Sequence, residues 1–265
     1  MPQTDIQAIL EERGLQRVAR ELAACAKPCI RLRACGRKEG PVTRLGGRPN
    51  LPGELKWPQP EGQTLAFVAQ VDLAALPAVP DIGLPESGAL YFFWEGFDEG
   101  IWAVGYSARS LTEFPPREFP EDLELRLPIV ELGSPVVEPT MPDRADQMLW
   151  KLGLSEEEID VYDEFKREWG EERYGATGIH CLGGYPDLIQ DSDPKVEAHL
   201  AANGLDSIPE DEADATLDWR LLFQVDSELD ADISWGDAGK LYFMIHKDDL
   251  RKRQFSETWL VMQSS

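Results

Sequence analysis

The chain lacks the features that mark several common classes of protein. Its 265 residues include four cysteines, which are too few for a disulfide-stabilised scaffold. No apolar run approaches the roughly 18 residues that a membrane-spanning helix needs. The first residues, Met1–Ile6, have neither the basic stretch nor the apolar stretch of a secretory signal. We therefore expect a protein of a reducing cytoplasm.

Positive charge is also scarce. The sequence holds 26 lysines and arginines against 49 aspartates and glutamates, which gives a formal net charge of −23. Because so negative a surface repels phosphate groups, we expect neither nucleic acid nor an anionic membrane among the partners. The same charge favours solubility, and it would attract a basic protein partner.

Three segments of the sequence occur twice, in the same order and more than a hundred residues apart. Because that spacing is far longer than the unit of a solenoid, it indicates a duplicated half-domain. The pattern predicts an α+β fold in which two similar strand-rich halves pack together, with helices at the N-terminus and between or within the halves. The matched pairs are Gly46–Leu51 with Gly183–Leu188, Phe67–Asp72 with Leu221–Asp226, and Gly88–Phe92 with Gly239–Phe243.

The duplication divides the chain into three segments that together form one compact unit. Residues 1–40 are predicted to be an N-terminal helical segment that packs on the core. Residues 41–140 are the first half and residues 141–265 are the second. Within the first segment, apolar residues at three- and four-residue spacing predict a helix over residues 4–26, which Gly14 could interrupt.

Capping signals predict helices in the second half. Ser155 and Glu158 have the spacing of a capping box. Asp193 before a proline marks another helix start, and Gly204 marks its end. By contrast, the prolines of residues 114–142 predict an edge strand or a linker. Strands are predicted at residues 65–73, 89–94, 101–106, 219–225, 241–245 and 258–262.

The repeated segments carry polar residues that could bind a ligand or stabilise the fold. Gln70 and Gln224 each lie in an apolar strand, so each must be hydrogen-bonded if buried, either to nearby backbone or to a ligand. The paired glycines before them are typical of turns with positive φ and could also present backbone amides to an anion. The ligand-binding candidates, placed at a cleft between the halves, are Gln70, Asp72, His180, Tyr185, Gln224, Asp226, Trp235 and Asp237.

Cysteine and histidine suggest two further kinds of site, a zinc site and a catalytic nucleophile, and neither pattern is complete. The candidate zinc ligands are Cys25, Cys29 and Cys35. A structural zinc site would need a remote fourth ligand, His180 or Cys181, so free cysteines are the better interpretation. His180 beside Cys181 has no identifiable third group for nucleophilic catalysis. We therefore predict no catalytic residue, no metal and no cofactor.

Several motifs are specific enough to compare with a known family. They are Gly46–Pro49, Trp57–Pro58, Phe67–Leu73 and Leu84–Phe93 in the first half, and Leu182–Pro186, Leu222–Ser227, Trp235–Phe243 and Asp249–Leu250 in the second. With them the chain, from about residue 40 to its end, resembles the YwqG-like family, a bacterial domain-of-unknown-function family. The resemblance implies an α+β fold and a cytoplasmic bacterial setting. Members are suspected of belonging to toxin–immunity neighbourhoods, and the resemblance supplies no catalytic residue.

Two classes of function fit these observations. The first is a non-enzymatic module that binds a protein partner, such as a basic toxin that it neutralises. The alternative is a small-molecule-binding protein or enzyme whose site lies in the cleft between the halves. Convergence of the candidate residues in one pocket would favour the alternative, and an acidic face beside an apolar patch would favour the first. The sequence leaves the oligomeric state open.

Overall fold

The computed structural model describes residues 3–96, 100–174 and 178–265, and within these ranges it has six α-helices and ten β-strands. The predicted α+β class is confirmed. None of the described helices is both long and apolar enough to cross a membrane. The helices are α1 (Gln3–Glu12), α2 (Ala19–Ala24), α3 (Gln147–Leu152), α4 (Glu156–Tyr174), α5 (Pro194–Asn203) and α6 (Lys247–Lys252). The strands are β1 (Lys27–Gly36), β2 (Arg44–Leu45), β3 (Ala66–Asp72), β4 (Ala89–Trp94), β5 (Trp102–Ser107), β6 (Val130–Thr140), β7 (His180–Gly183), β8 (Trp219–Asp226), β9 (Lys240–His246) and β10 (Trp259–Gln263).

All ten strands join in one antiparallel sheet, in the order β10–β9–β8–β7–β1–β6–β2–β3–β4–β5. The strands β1 and β6 lie at the centre, and four strands flank them on either side. We call β2, β3, β4 and β5 the first wing, and β7, β8, β9 and β10 the second wing. Each wing carries one copy of the three repeated segments.

The sheet curls until its two wings face each other. The ring of Phe92 in the first wing lies 5.1 Å from that of Phe223 and 4.7 Å from that of Phe243, both in the second wing. The rings of Trp94 and Trp235 pack edge to face at 5.7 Å. The main hydrophobic core therefore fills the space between the wings, and aromatic pairs at such distances add to the stabilisation that burial provides.

Helices cover the outer side of the sheet. Ala198 of α5 packs on Trp219, Leu221 and Tyr242, which point outward from the second wing. A separate core joins the helices α1, α2, α3 and α4 to one another through buried residues such as Ile6, Leu10, Leu22, Tyr162 and Phe165.

The predicted helix signals in the second half are confirmed. The N–H of Glu158 donates to the Ser155 hydroxyl (3.2 Å), while the Glu158 carboxylate accepts from the N–H of Ser155 (2.9 Å), which completes the capping box of α4. The Asp193 carboxylate accepts from the N–H of Lys195 at the start of α5, and Gly204 ends that helix in the left-handed conformation.

The N-terminal region matches the prediction in part. The helix predicted over residues 4–26 is interrupted at Gly14, whose φ is 95°, as the sequence allowed, and it forms α1 and α2. Residues 27–36 were assigned to a helical segment, but they form the central strand β1 because they pair on one side with β6 and on the other with β7. Because β6 and β7 lie far from β1 along the chain, no local sequence pattern predicts this strand.

The proline-rich seam is also more regular than predicted. Its second part is β6, a central strand, and not an edge strand or a linker. The strand tolerates Pro135 and Pro139 because its contact with the β2 side ends at Leu132, whose N–H donates to the backbone oxygen of Thr43 (2.9 Å), and both prolines lie beyond that point. Ser134, with a φ of 51°, lies at an irregularity in the pairing with β1.

Candidate functional site

Gln70 lies at the centre of a hydrogen-bond network in the first wing, which we call the Gln70 network. Its Oε1 accepts from the backbone N–H of Asn50 (2.8 Å), and its Nε2 donates to the backbone oxygen of Val42 (2.9 Å) and to Oδ1 of Asn50 (3.1 Å). The Tyr91 hydroxyl donates to the backbone oxygen of Asn50 (2.9 Å). Gln70 is fully buried. It therefore holds the loop after the glycine turn against β3.

A matching set of contacts surrounds Gln224 in the second wing, and we call it the Gln224 network. Its Oε1 accepts from the backbone N–H of Asp187 (2.8 Å), and its Nε2 donates to the backbone oxygen of Ile179 (2.9 Å). The Tyr242 hydroxyl donates to the backbone oxygen of Asp187 (2.8 Å). The Asp187 side chain also pairs with Lys240, so this network includes charged groups.

The paired glycines form the tight turns that the sequence predicts. In the first copy Gly46 and Gly47 have φ values of 55° and 67°, and in the second copy the angles are 71° and 75°. A Cβ on Gly46 would lie 2.0 Å from the backbone oxygen of Pro128, so only glycine fits there. The N–H groups of Gly46 and Gly47 donate to the backbone oxygens of Val68 and Leu127, so they are not presented to an anion.

His180 is fully buried and bonded at both ring nitrogens. Its Nδ1 accepts from the backbone N–H of Asp226 (3.2 Å), and its Nε2 lies 2.7 Å from Oε1 of Glu228. Because Nδ1 accepts, the ring proton sits on Nε2 and is donated to Glu228. The Asp226 carboxylate accepts from the N–H of Ile179 (2.8 Å), and burial raises its pKa while Lys240, at 3.8 Å, opposes the rise.

Asp72 occupies the place in the first wing that Asp226 occupies in the second. Its backbone N–H donates to the Thr43 hydroxyl (2.9 Å), as the N–H of Asp226 donates to the ring of His180. The Asp72 carboxylate accepts from the N–H of Ala74 (3.2 Å), and partial burial raises its pKa.

Trp235 and Asp237 lie in the loop before β9 and have different surroundings. Trp235 is buried, and its indole N–H donates to the backbone oxygen of Asp226 (3.0 Å). Its ring packs on Trp94 across the wings, so it fills the space in which a cleft was expected. Asp237 is exposed, and its backbone oxygen accepts from the N–H of Ser265 (3.2 Å).

Tyr185 is buried on the outer side of the sheet. Its hydroxyl donates to the backbone oxygen of Cys25 (3.0 Å), and two amines lie near its ring: Nζ of Lys27 at 4.2 Å and Nζ of Lys195 at 5.2 Å from the ring centroid. Tyr185 also lines a cavity of about 70 Å³ between α4 and the sheet. A second cavity, of about 690 Å³, is lined by Asp226 among others.

The structure does not bring the eight candidate residues into one cleft. Most of their polar atoms bond to the protein's own backbone, which is the structural role that the sequence left open for the glutamines. Three groups result: Gln70 and Asp72 in the first wing; His180, Gln224, Asp226, Trp235 and Asp237 at the end of the second wing; and Tyr185 on the outer side of the sheet.

The cysteines do not gather in one place. Cys25 and Cys35 bond to the backbone oxygens of Glu21 and Glu131 respectively. The Cys181 thiol is hydrogen-bonded to Cys29, and this bond together with burial raises the pKa of Cys181 well above its usual range, which makes that thiol a poor nucleophile. Among the described residues, no three His, Cys, Asp or Glu side chains are placed to hold a metal ion.

Sequence reasoning missed the most exposed aromatic residue among those described. Trp150 on α3 has 74% of its surface exposed. The 3₁₀ segment Glu210–Asp218 packs against α3, and there Lys151 pairs with Asp214 (2.7 Å). Asp214 and Glu212 expose 67% and 52% of their side chains. We call Trp150, Glu212 and Asp214 the Trp150 face. The signal that could have revealed it is the three-residue spacing of the buried Leu149 and the half-buried Leu152, which leaves Trp150 off the apolar side of the helix.

The fold and its networks define an α+β protein built on a single antiparallel sheet. The family model of a domain of unknown function, DUF1963, matches residues 43–264, and the chain belongs to that family. The match covers both wings, β6 and the helices of the second half, and it begins after β1. No curated protein matches the sequence.

Proposed function

We propose that this protein is a non-enzymatic binding module that recognises a basic protein partner through the Trp150 face. The observation that carries the proposal is a tryptophan side chain left 74% exposed on α3, the helix that packs against the segment with the exposed Glu212 and Asp214. Tryptophan is among the residues that contribute most to protein–protein binding when a partner covers them. An exposed indole is also the best aromatic platform for an arginine or lysine side chain.

Charge supports a basic partner and not an acidic one. The chain carries −23 overall, and exposed acidic residues lie on two segments next to the helix that carries Trp150. Glu156 and Glu157 are exposed at the start of α4, just after the helix that carries Trp150, and Glu212 and Asp214 are exposed on the segment that packs against that helix. Such a field steers a cationic protein toward the face and weakens as salt is added.

We further propose that the partner is a toxin that this protein neutralises, a role that the resemblance to the YwqG-like family suggests. A protein that neutralises a nucleic-acid-active toxin must cover a basic surface, because such toxins bind phosphate groups through lysine and arginine. An acidic module of the bacterial cytoplasm with an aromatic anchor has the complementary chemistry.

We also propose that the two wings derive from one duplicated unit. Arg44 pairs with Gln70 in the first wing as Cys181 pairs with Gln224 in the second. The glutamines accept from equivalent backbone N–H groups, and the tyrosines of β4 and β9 donate to the backbone oxygens of the same two residues. This register aligns Thr43 with His180 and Arg44 with Cys181, so the two copies differ at both positions.

A defined probe tests the function. A fluorescent ten-residue peptide of alternating arginine and glycine is titrated with the protein, and anisotropy gives the dissociation constant. We expect Trp150→Ala to weaken binding about tenfold, because loss of a central anchor costs more than about 1 kcal/mol. The matched control is Leu229→Ala, since Leu229 is 62% exposed and lies elsewhere.

The same three proteins are then used for capture from lysate of the native host. A basic protein retained by the wild type and by Leu229→Ala, but lost with Trp150→Ala and at high salt, is the expected result. Equal retention by Trp150→Ala, or equal affinity of all three proteins for the peptide, would show that the Trp150 face is not the binding surface.

A further inference from the structure

Four basic side chains line one pocket between the two wings, in a chain whose net charge is −23. The pocket has a volume of about 350 Å³. One of its walls is the loop between β3 and β4 of the first wing, and the other is formed by β8 of the second wing and by α6 with the residue after it. The pocket contains none of the eight candidate residues. Its cations are Arg220, Lys247, Arg251 and Arg253.

Two of these cations have carboxylate partners. The Nζ of Lys247 lies 2.6 Å from Oδ1 of Asp218, and the Nη2 of Arg251 lies 3.0 Å from Oδ1 of Asp248. The protein therefore balances these two positive charges itself.

The other two cations have no such partner. Arg220 is half-buried, and its Nη1 donates to the backbone oxygens of Leu217 and Trp219. Arg253 is exposed. In the described part of the chain, no carboxylate lies within ion-pair distance of either guanidinium group. One carboxylate, that of the exposed Asp81, lines the pocket without pairing with them. The pocket thus holds two positive charges that are not balanced at close range.

Arg253 has a backbone conformation that glycine adopts more easily. It follows the last residue of α6 in the left-handed conformation, with a φ of 59°. Helices commonly end in this way with a glycine, because a Cβ is strained there. A side chain that is kept under backbone strain points to a functional use of that side chain.

Apolar residues form the rest of the pocket and hold its walls in place. Ile82 and Leu250 are buried and belong to the main core. A Cβ on Gly183 would lie 2.7 Å from Cγ1 of Ile82, so the loop of the first wing rests directly on the glycine turn of the second copy. Leu84 and Pro85 complete the apolar lining. The pocket therefore suits a ligand with one anionic end and a small apolar body.

We propose that this pocket binds a small phosphate monoester, whose phosphate group is held by Arg220 and Arg253. A guanidinium group can donate two parallel hydrogen bonds to a phosphate. A phosphate monoester carries a charge of about −1.5 to −2 at pH 7, which matches the two unbalanced positive charges. Small-molecule sites have volumes of roughly 300–1,000 Å³, and this pocket falls within that range. Because the chain as a whole repels polyanions, the ligand is a small molecule and neither a nucleic acid nor an anionic membrane.

Calorimetric titration of the full-length protein with phenyl phosphate tests the proposal. We expect binding that weakens as salt is added. Arg253→Gly should weaken it about tenfold or more, because the variant loses charge-assisted hydrogen bonds to the phosphate. The same variant should unfold at the same temperature as the wild type or at a higher one, because glycine relieves the left-handed strain. A loss of affinity in this variant therefore reports on the pocket and not on the fold.

Two controls decide the result. Lys252→Gln removes one positive charge from the same helix end, at an exposed residue that does not line the pocket, and it should bind phenyl phosphate as the wild type does. Benzoate, which carries a single negative charge on the same ring, should bind more weakly than phenyl phosphate. Equal affinity of Arg253→Gly and the wild type for phenyl phosphate, or equal or tighter binding of benzoate, would overturn the proposal.

Vesicles that contain phosphatidic acid distinguish a free phosphate monoester from a lipid head group. We expect the protein not to sediment with them. Binding to the vesicles without binding to phenyl phosphate would overturn the assignment of a small-molecule ligand. Trp150→Ala should bind phenyl phosphate as the wild type does, so the proposal stands or fails separately from the proposed binding function.

Discussion

The two wings contain the same hydrogen-bond network with different charged groups around it: the buried Arg44 in the first wing and the Lys240–Asp187 ion pair in the second. In both, a buried glutamine accepts from one backbone N–H and donates to backbone oxygen, while a tyrosine hydroxyl closes the same loop. The residues around the glutamine differ at equivalent positions. Thr43, Arg44, Asn50 and Ala89 in the first wing correspond to His180, Cys181, Asp187 and Lys240 in the second.

The fold keeps the buried glutamine in both wings and accepts different residues at the positions around it. A glutamine side chain carries both a donor and an acceptor without charge, so it can satisfy an N–H and a carbonyl at once in a buried site. Both wings keep it. The flanking positions vary because they can be satisfied in several ways, and in the second wing ion pairs satisfy them. In the first wing the buried Arg44 donates to the backbone oxygens of Gly46 and Arg48. The second wing should therefore be the one in which loss of a cation leaves carboxylates without a partner.

The largest expected effect comes from the buried ion cluster that accompanies the second wing. Lys195 pairs with Asp146 and Asp193, and all three are buried. Lys195→Met should lower the free energy of unfolding by about 3–5 kcal/mol at pH 7, because it leaves uncompensated buried carboxylates. Urea unfolding measures the loss, and Lys38→Met, at an exposed position, is the control.

The loss in Lys195→Met should shrink toward acid pH. Burial already raises the pKa of Asp193, and without Lys195 this carboxyl group takes up a proton still more readily. A loss below about 1 kcal/mol at pH 7 would mean that water reaches the cluster and that the charges of the second wing matter little to stability.

The glutamines give the next largest effect. Gln70→Ala should cost about 2–3 kcal/mol and Gln224→Ala about 1–2 kcal/mol, because each leaves buried backbone groups without partners. Gln70 should cost more, since its Nε2 also donates to Oδ1 of Asn50 and to the backbone oxygen of Gly40. Denaturant unfolding of both variants measures the difference.

The exposed Gln63→Ala is the matched control for the glutamine pair. A larger loss at Gln224 than at Gln70 would reverse the comparison, because it would assign the stronger network to the second wing. Unchanged stability in both variants would remove the structural role of the glutamines altogether.

Local signals predicted much of the fold. The strands β3, β4, β8 and β9 are buried on both faces, so their sequences are continuous runs of strand-forming residues. Short capping motifs mark the starts of α4 and α5. The strand β1 could not be predicted in this way. It pairs with residues 130–140, about a hundred positions later, and only the complete sheet explains why it is extended.

The candidate site was less accessible to sequence reasoning. The repeated glutamines could be identified as important, but their partners are backbone groups of loops whose conformation the residues do not reveal. The sequence around Trp150 does not distinguish it from a tryptophan of the core. Its exposure depends on how α3 lies, with Leu149 inward, and on the acidic segment that packs beside it.

The smallest effects are expected at Asp72 and Asp226, where the two wings can be compared through one substitution. Burial raises the pKa of both carboxyl groups above the unfolded value. For an acid with a raised pKa, the folded state binds more protons than the unfolded state, so the contribution to stability is full at acid pH and is lost as pH rises through the folded pKa. Each charged carboxylate therefore costs stability at pH 7.

Substitution by asparagine removes that cost but also removes one acceptor oxygen. Asp72→Asn keeps an acceptor for the N–H of Ala74 and should gain a few tenths of a kcal/mol at pH 7, a gain that disappears near pH 4. Asp226→Asn cannot serve both Ile179 and Ser227, whose N–H groups use separate oxygens, and should lose about 1 kcal/mol. Urea unfolding of both variants at pH 4 and pH 7 measures these differences. The same sign for both at pH 7 would mean that burial, and not the count of acceptors, sets the difference between the wings.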